Sequence, residues 1–128
     1  MTEWLQEALT ALLLLLGGGL MLLAGAGALR FPDLLTRMHA TTKAGALGAA
    51  LTVAAVAVYF ADGSVTARAV AIIVFIVLTA PVAAHLIGRA GYFVGVPMWE
   101  GTVKDELKSH YDPETHELRS GLESRDDR

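Results

Sequence analysis

The sequence predicts an all-α membrane protein of three transmembrane helices followed by a polar, acidic tail, and three observations carry that reading. Hydrophobic residues make up 54% of the 128 positions and charged residues only 18%, below the roughly 25% usual for a soluble globular chain. Mean hydropathy is positive, at +0.50. Charge is also segregated: 14 of the 23 Asp, Glu, Lys and Arg residues fall from Glu100 to Arg128, which leaves nine for the first 99 positions. A soluble domain needs charge spread over its surface, so an ordinary cytosolic enzyme is excluded. The absence of cysteine removes disulfide scaffolds, iron–sulfur clusters and thiol nucleophiles. A net charge of −3 leaves no basic footprint for nucleic acid.

Gaps between charges locate the spans. Glu7 and Arg30 bracket 22 uncharged residues, Lys43 and Asp62 bracket 18, and Arg68 and Arg89 bracket 20. Each gap approaches the roughly 20 residues that carry a helix across about 30 Å of hydrocarbon. Backbone polar groups in lipid must be paired within the segment, so the expected helices cover about residues 6–29, 33–61 and 66–88. They form one membrane domain over residues 1–97, with a largely flexible cytoplasmic tail over 98–128. The first span resembles a secretion signal at Ala24-Gly25-Ala26, but its start carries Glu3 and Glu7 and no basic residue, against the pattern of a signal peptide. Arg30, Arg37 and Lys43 in the first loop, and Arg89, Lys104 and Lys108 after the third span, outweigh the lone Arg68 of the second loop. The positive-inside rule therefore sets the N-terminus outside and the C-terminus in the cytoplasm.

Small residues mark where membrane helices approach closely. Ala46, Ala50, Ala54 and Ala57 form a ridge on the second span; Gly17, Gly18 and Gly25 belong to a similar set on the first. Two readings are open: contact with neighbouring subunits, or packing of the chain on itself. The segment between the first two spans reads Arg30-Phe31-Pro32-Asp33, then Arg37, His39 and Lys43. Pro32 suits the first position of a helix, with Asp33 in its first turn and four residues before Arg37. These charges either line a cytoplasmic vestibule or anchor helix ends at the headgroups.

The third span contains Thr79, Pro81 and His85. A proline inside a helix removes one N–H and frees the carbonyl four residues back, here that of Val77. With His85 one turn further on, this is either a polar wall of an ion path or a bend serving shape alone. No Asp, Glu, Lys or Arg lies in the apolar stretches of the three spans, residues 8–29, 44–61 and 69–88, so the chain lacks the buried ionisable groups on which proton and cation transfer usually depends. In the tail, Thr102 and Asp105 are spaced as a capping box for a short helix through Val103 and Leu107. His110, Asp112, Glu114 and His116 match no zinc spacing, and no metal or cofactor is expected.

Two strings carry a family resemblance. From Gly27 to Gly48 the chain has Arg30-Phe31-Pro32-Asp33, Arg37, His39-Ala40, Thr42-Lys43-Ala44 and Leu47-Gly48; later come Leu78-Thr79-Ala80-Pro81-Val82-Ala83-Ala84-His85 and Gly88-Arg89-Ala90. Together they resemble the small G-type component of Mrp-type multisubunit sodium/proton antiporters. The resemblance implies a bacterial plasma-membrane complex in which the inward proton gradient expels sodium, with other membrane subunits as partners. It also implies that small subunits of this kind are needed for assembly and lie near the sodium route. The residues leave two competing readings: a free-standing oligomeric cation carrier or channel, and a structural membrane protein without a transport role.

Overall fold

The computed structural model describes residues 2–102 together with 105, 107, 108, 110–112, 114, 115 and 117. Helix α1 runs Glu3–Arg30, α2 Leu34–Ala40, α3 Ala46–Phe60 and α4 Gly63–Phe93. A π-helical turn at Thr41–Gly45 joins α2 to α3. Residues Leu34–Phe60 thus form one apolar span of 27 residues, between spans of 28 and 31 residues. All three are long and apolar enough to cross a membrane.

The first connection is set by Pro32. A proline pushes the preceding residue out of the helical region; Phe31 is accordingly extended, at φ −72° and ψ 142°. Pro32 therefore stops α1, which corrects the expectation that it occupies the first position of the next helix. Asp33, also extended, is the N-cap of α2. Its carboxylate accepts from the Thr36 amide at 2.9 Å and from the Thr36 hydroxyl, satisfying donors that a helix start leaves open. These bonds hold the Asp33 carboxyl below the usual carboxylate range, against the opposing effect of burial. Arg37 is not set against Asp33: its Nε donates to the Phe31 carbonyl at 2.6 Å and clasps the turn.

The π-helical turn has a local cause in two adjacent threonines. The Thr41 hydroxyl donates to the carbonyls of Arg37 and Met38, both at 3.0 Å, and the Thr42 hydroxyl donates to Met38. Hydroxyl back-bonding of this kind competes with the backbone ladder and distorts helices. At the other end of α3, Ala61 takes a left-handed conformation at φ 46°. Asp62 then caps α4 by accepting from the amides of Ser64 and Val65 at 2.9 and 3.0 Å.

Helix α4 extends past residue 88, where the sequence placed its end, to Phe93. The stop is a Schellman motif: Gly95 at φ +76°, with its N–H on the Tyr92 carbonyl and the Val96 N–H on that of Gly91. Arg89 is no terminator because its long side chain lets the charge reach the surface while the backbone continues.

Helices α1 and α4 both pack on the α2–α3 span, and they do not touch one another. The molecule is a single layer of helices with α3 in the middle. Its interior is made of small residues: Ala55 is wholly buried, Ala24 and Ala69 nearly so, and no large side chain is fully buried among the described residues. At the crossing of α1 and α3, a Cβ on Gly17 would stand 2.8 Å from the Gly48 carbonyl oxygen and 2.7 Å from the Thr52 hydroxyl. Backbone-to-backbone approach of this kind is what small residues permit in lipid.

Candidate functional site

Two parts of the sequence singled out for chemistry, the loop after α1 and the proline of α4, meet in one groove. A hollow of about 390 Å³ is lined by His39, Thr42, Lys43 and Ala46 on one wall and by Val77, Pro81, Ala84 and His85 on the other. A second hollow of about 500 Å³ lies beside it, lined by Leu35 and Met38 of α2, by His85, Arg89 and Phe93 of α4, and by Leu107 and Tyr111 of the tail. Met38, Ala84 and His85 line both, so the hollows form a continuous groove between α2 with its π turn and the last third of α4.

Glycines set how close those walls come. A Cβ on Gly88 would meet the Met38 methyl at 3.1 Å, and one on Gly91 would run into the Leu34 side chain. Their three-residue spacing puts both on one face of α4, a signal present in the sequence but not read there. The π turn shapes the opposite wall, because it inserts extra backbone between Met38 and Ala46 and turns Thr42 and Lys43 toward α4.

Not every expected residue reaches the groove. Thr79 is exposed, and its hydroxyl donates to the Phe75 carbonyl at 2.7 Å on its own helix. Arg30 ends α1 in an exposed position, Arg37 is held by the turn, and Asp33 faces Pro97 and Met98 in a separate, narrow crevice. Among the packing candidates, Gly17 sits at the helix crossing, whereas Gly18 and Gly25 have open space where a side chain would stand. Ala46, Ala50, Ala54 and Ala57 are all half-buried, with the deepest point of α3 next to them at Ala55. Gly48 and Gly27 carry the close contacts that sequence reasoning assigned elsewhere: a Cβ on Gly27 would lie 2.8 Å from that of Ala40.

Gln6 was also missed. Its Nε2 donates to the carbonyls of Val58 and Tyr59 at 3.0 and 2.8 Å, closing the exposed end of α3 that has no helical partners of its own. In the tail, Asp105 does not act with Thr102 as a capping box. The Thr102 hydroxyl donates to Trp99, while the Asp105 carboxylate accepts from the amides of Leu107 and Lys108 at 3.2 Å and from the Tyr92 hydroxyl at 3.1 Å. Tyr111 stacks on Phe93 with ring centroids 5.2 Å apart. Part of the tail is thus laid against the end of α4; Val103 of the expected short helix lies outside the described residues. Asp112 accepts from the Glu114 amide at 2.9 Å, so its carboxylate serves a turn, and among the described residues no group of three His, Asp or Glu is arranged to hold a metal. His116 falls outside them.

Known proteins share this fold. The fold superposes on a chain of the Mrp complex from Dietzia sp. DQ12-45-1b with a TM-score of 0.80 at 23% identity, over 84% of this chain and 97% of that one. A chain of the membrane-bound sulfane sulfur reductase, an archaeal respiratory membrane complex, superposes at TM-score 0.71 with 36% identity, over 79% and 94% of the two chains. In sequence, the G-type component of the Na⁺/H⁺ antiporter of Alkalihalophilus pseudofirmus is 40% identical over 108 residues, 83% of this chain and 91% of that protein. The family described as "Na⁺/H⁺ antiporter subunit" matches residues 13–92, which contain the helix crossing, the π turn and the hollow between Lys43 and Pro81, while Phe93, Leu107 and Tyr111 of the second hollow lie beyond it. On these grounds the chain belongs to the family of Na⁺/H⁺ antiporter subunits.

Proposed function

We propose that the chain is an accessory membrane subunit of a multisubunit monovalent cation/proton antiporter, seated in the bacterial plasma membrane, that serves exchange of inward-moving protons for outgoing Na⁺. The observation that carries its accessory rank is the composition of the hydrocarbon stretch. Residues 8–29, 44–61 and 69–88 contain no Asp, Glu, Lys or Arg, and groups that bind and release charge are what ion translocation needs. The carboxylates and lysines that move protons and Na⁺ belong to the partner subunits. This chain contributes tightly packed helices and, through the exposed face of α4 around Pro81 and His85, part of the wall along which the ion moves. Thr79 adds a hydroxyl to that exposed face. The N-terminus is outside and the C-terminus, with its acidic tail, is in the cytoplasm, because Arg30, Arg37, Lys43 and Arg89 lie at one end of the bundle and only Arg68 at the other.

The decisive experiment compares the chain with the complex. Proteoliposomes holding this chain alone are expected to show no Na⁺ movement when a pH difference is imposed. Complex lacking the chain is expected to fall to background exchange. Sodium transport by the pure chain would instead establish a free-standing carrier, and full exchange without it would establish a subunit with no transport role.

A further inference from the structure

The groove between α2 and α4 combines two properties that no single-purpose surface has. Its walls are largely apolar, from Leu35, Met38, Ala84 and Leu107, yet among the described residues its polar lining contains bases and no carboxylate: His39 and Lys43 on one side, His85 and Arg89 on the other. The two nearby acids among the described residues are engaged. Asp33 caps α2, and Asp105, at the rim, is bound by the Tyr92 hydroxyl and two backbone amides. Arg89 is held over the Phe93 ring, 5.0 Å from its centroid, which positions the guanidinium without neutralising it. Among the described residues, neither Lys43 nor Arg89 has a carboxylate partner.

A small soluble anion would gain nothing from the apolar walls, and an uncharged acyl chain nothing from the bases. An amphiphile with a negative head matches both, and basic pockets between transmembrane helices at the cytoplasmic end are known to take anionic headgroups. We propose that this groove is a binding site for one anionic phospholipid of the adjoining leaflet. The phosphate lies between Lys43 and Arg89 with His39 and His85 as further donors, and an acyl chain runs along Met38 and Ala84. Bound there, the lipid offsets the positive rim that would otherwise repel a cation brought close by partner subunits. Lipid binding of this kind requires only the groove; its effect on a passing cation rests on the transport assignment.

The test is retention of phosphatidylglycerol against phosphatidylcholine by the full-length chain in detergent, read by native mass spectrometry. Wild type is expected to keep phosphatidylglycerol at least fivefold better. The K43Q/R89Q variant is expected to lose that preference, K43R/R89K to keep it, and Arg68→Gln, at the opposite end, to leave it unchanged. Circular dichroism checks that each variant folds. Equal retention of the two lipids by wild type, or an undiminished preference in folded K43Q/R89Q, would overturn the proposal. In the assembled complex, a cysteine placed at Ala84 that cross-links in high yield to a partner subunit would also overturn it, by assigning the groove to a protein helix.

Discussion

Ala61 occupies a left-handed conformation at φ 46°, where its Cβ costs roughly 1–2 kcal/mol. Ala61→Gly removes that cost, and thermal unfolding in detergent is expected to show a gain of about 1 kcal/mol. The crossing at Gly17 behaves oppositely. Gly17→Ala puts a methyl within 2.8 Å of the Gly48 carbonyl oxygen, whereas Gly18→Ala enters open space. The first should destabilise by roughly 1–3 kcal/mol; the second should be neutral or slightly stabilising. Equal effects in the same unfolding assay would contradict a close crossing. Neither distinction was legible from sequence, because Gly17, Gly18 and Gly25 are chemically identical and only the helix rotation decides which faces a neighbour. The left-handed Ala61 was hidden because glycine is the residue that normally signals such a site, and here Gly63 stands two positions late.

At the level of elements, the spans themselves were readable, since charge gaps and lipid thickness define them almost alone. Their ends were less so. Pro32 reads equally well as a helix start or as a stop for the helix before it, and the extended Phe31 settles which. The π turn depends on hydroxyls of Thr41 and Thr42 turning back on carbonyls, a choice of rotamer that residue type does not fix. The cap of α4 yields a pH dependence. Bonds from the Ser64 side chain and the amides of Val65 and Ser64 lower the Asp62 pKa. A carboxylate whose folded pKa is depressed stabilises the protein above the unfolded value, about 4, and that stability is lost as pH falls through the folded value. Wild type is therefore expected to lose thermal stability more steeply than Asp62→Asn below about pH 4; parallel curves would remove Asp62 from the account. The proline turn of α4 has its own test: if the Pro81 turn is part of the ion wall, Pro81→Ala and His85→Ala lower exchange several-fold while the complex still assembles. Joint loss of both would make the turn a scaffold.

Considered as a whole molecule, the chain exposes most of its large apolar residues, Leu15, Leu22 and Leu29 among them at over 75%. Lipid covers some of that surface, and family membership supplies partners for the rest. Purification under mild detergent is expected to bring larger multi-span subunits with it, and recovery of the chain alone would count against an obligate complex. The meeting of His39 and Lys43 with Pro81 and His85 was the part of the site that sequence could not give. The two strings lie some 40 positions apart, and only the hairpin at Ala61–Asp62 folds one beside the other.

Three helices in a row, with the outer two never meeting, make a plank with two broad sides instead of a bundle with one enclosed middle. Each side is free to adhere to a different neighbour, so the chain can act as a shim wedged between two larger bodies. Damage to one side should then loosen only one of those joints, and defects from opposite sides should add without amplifying each other.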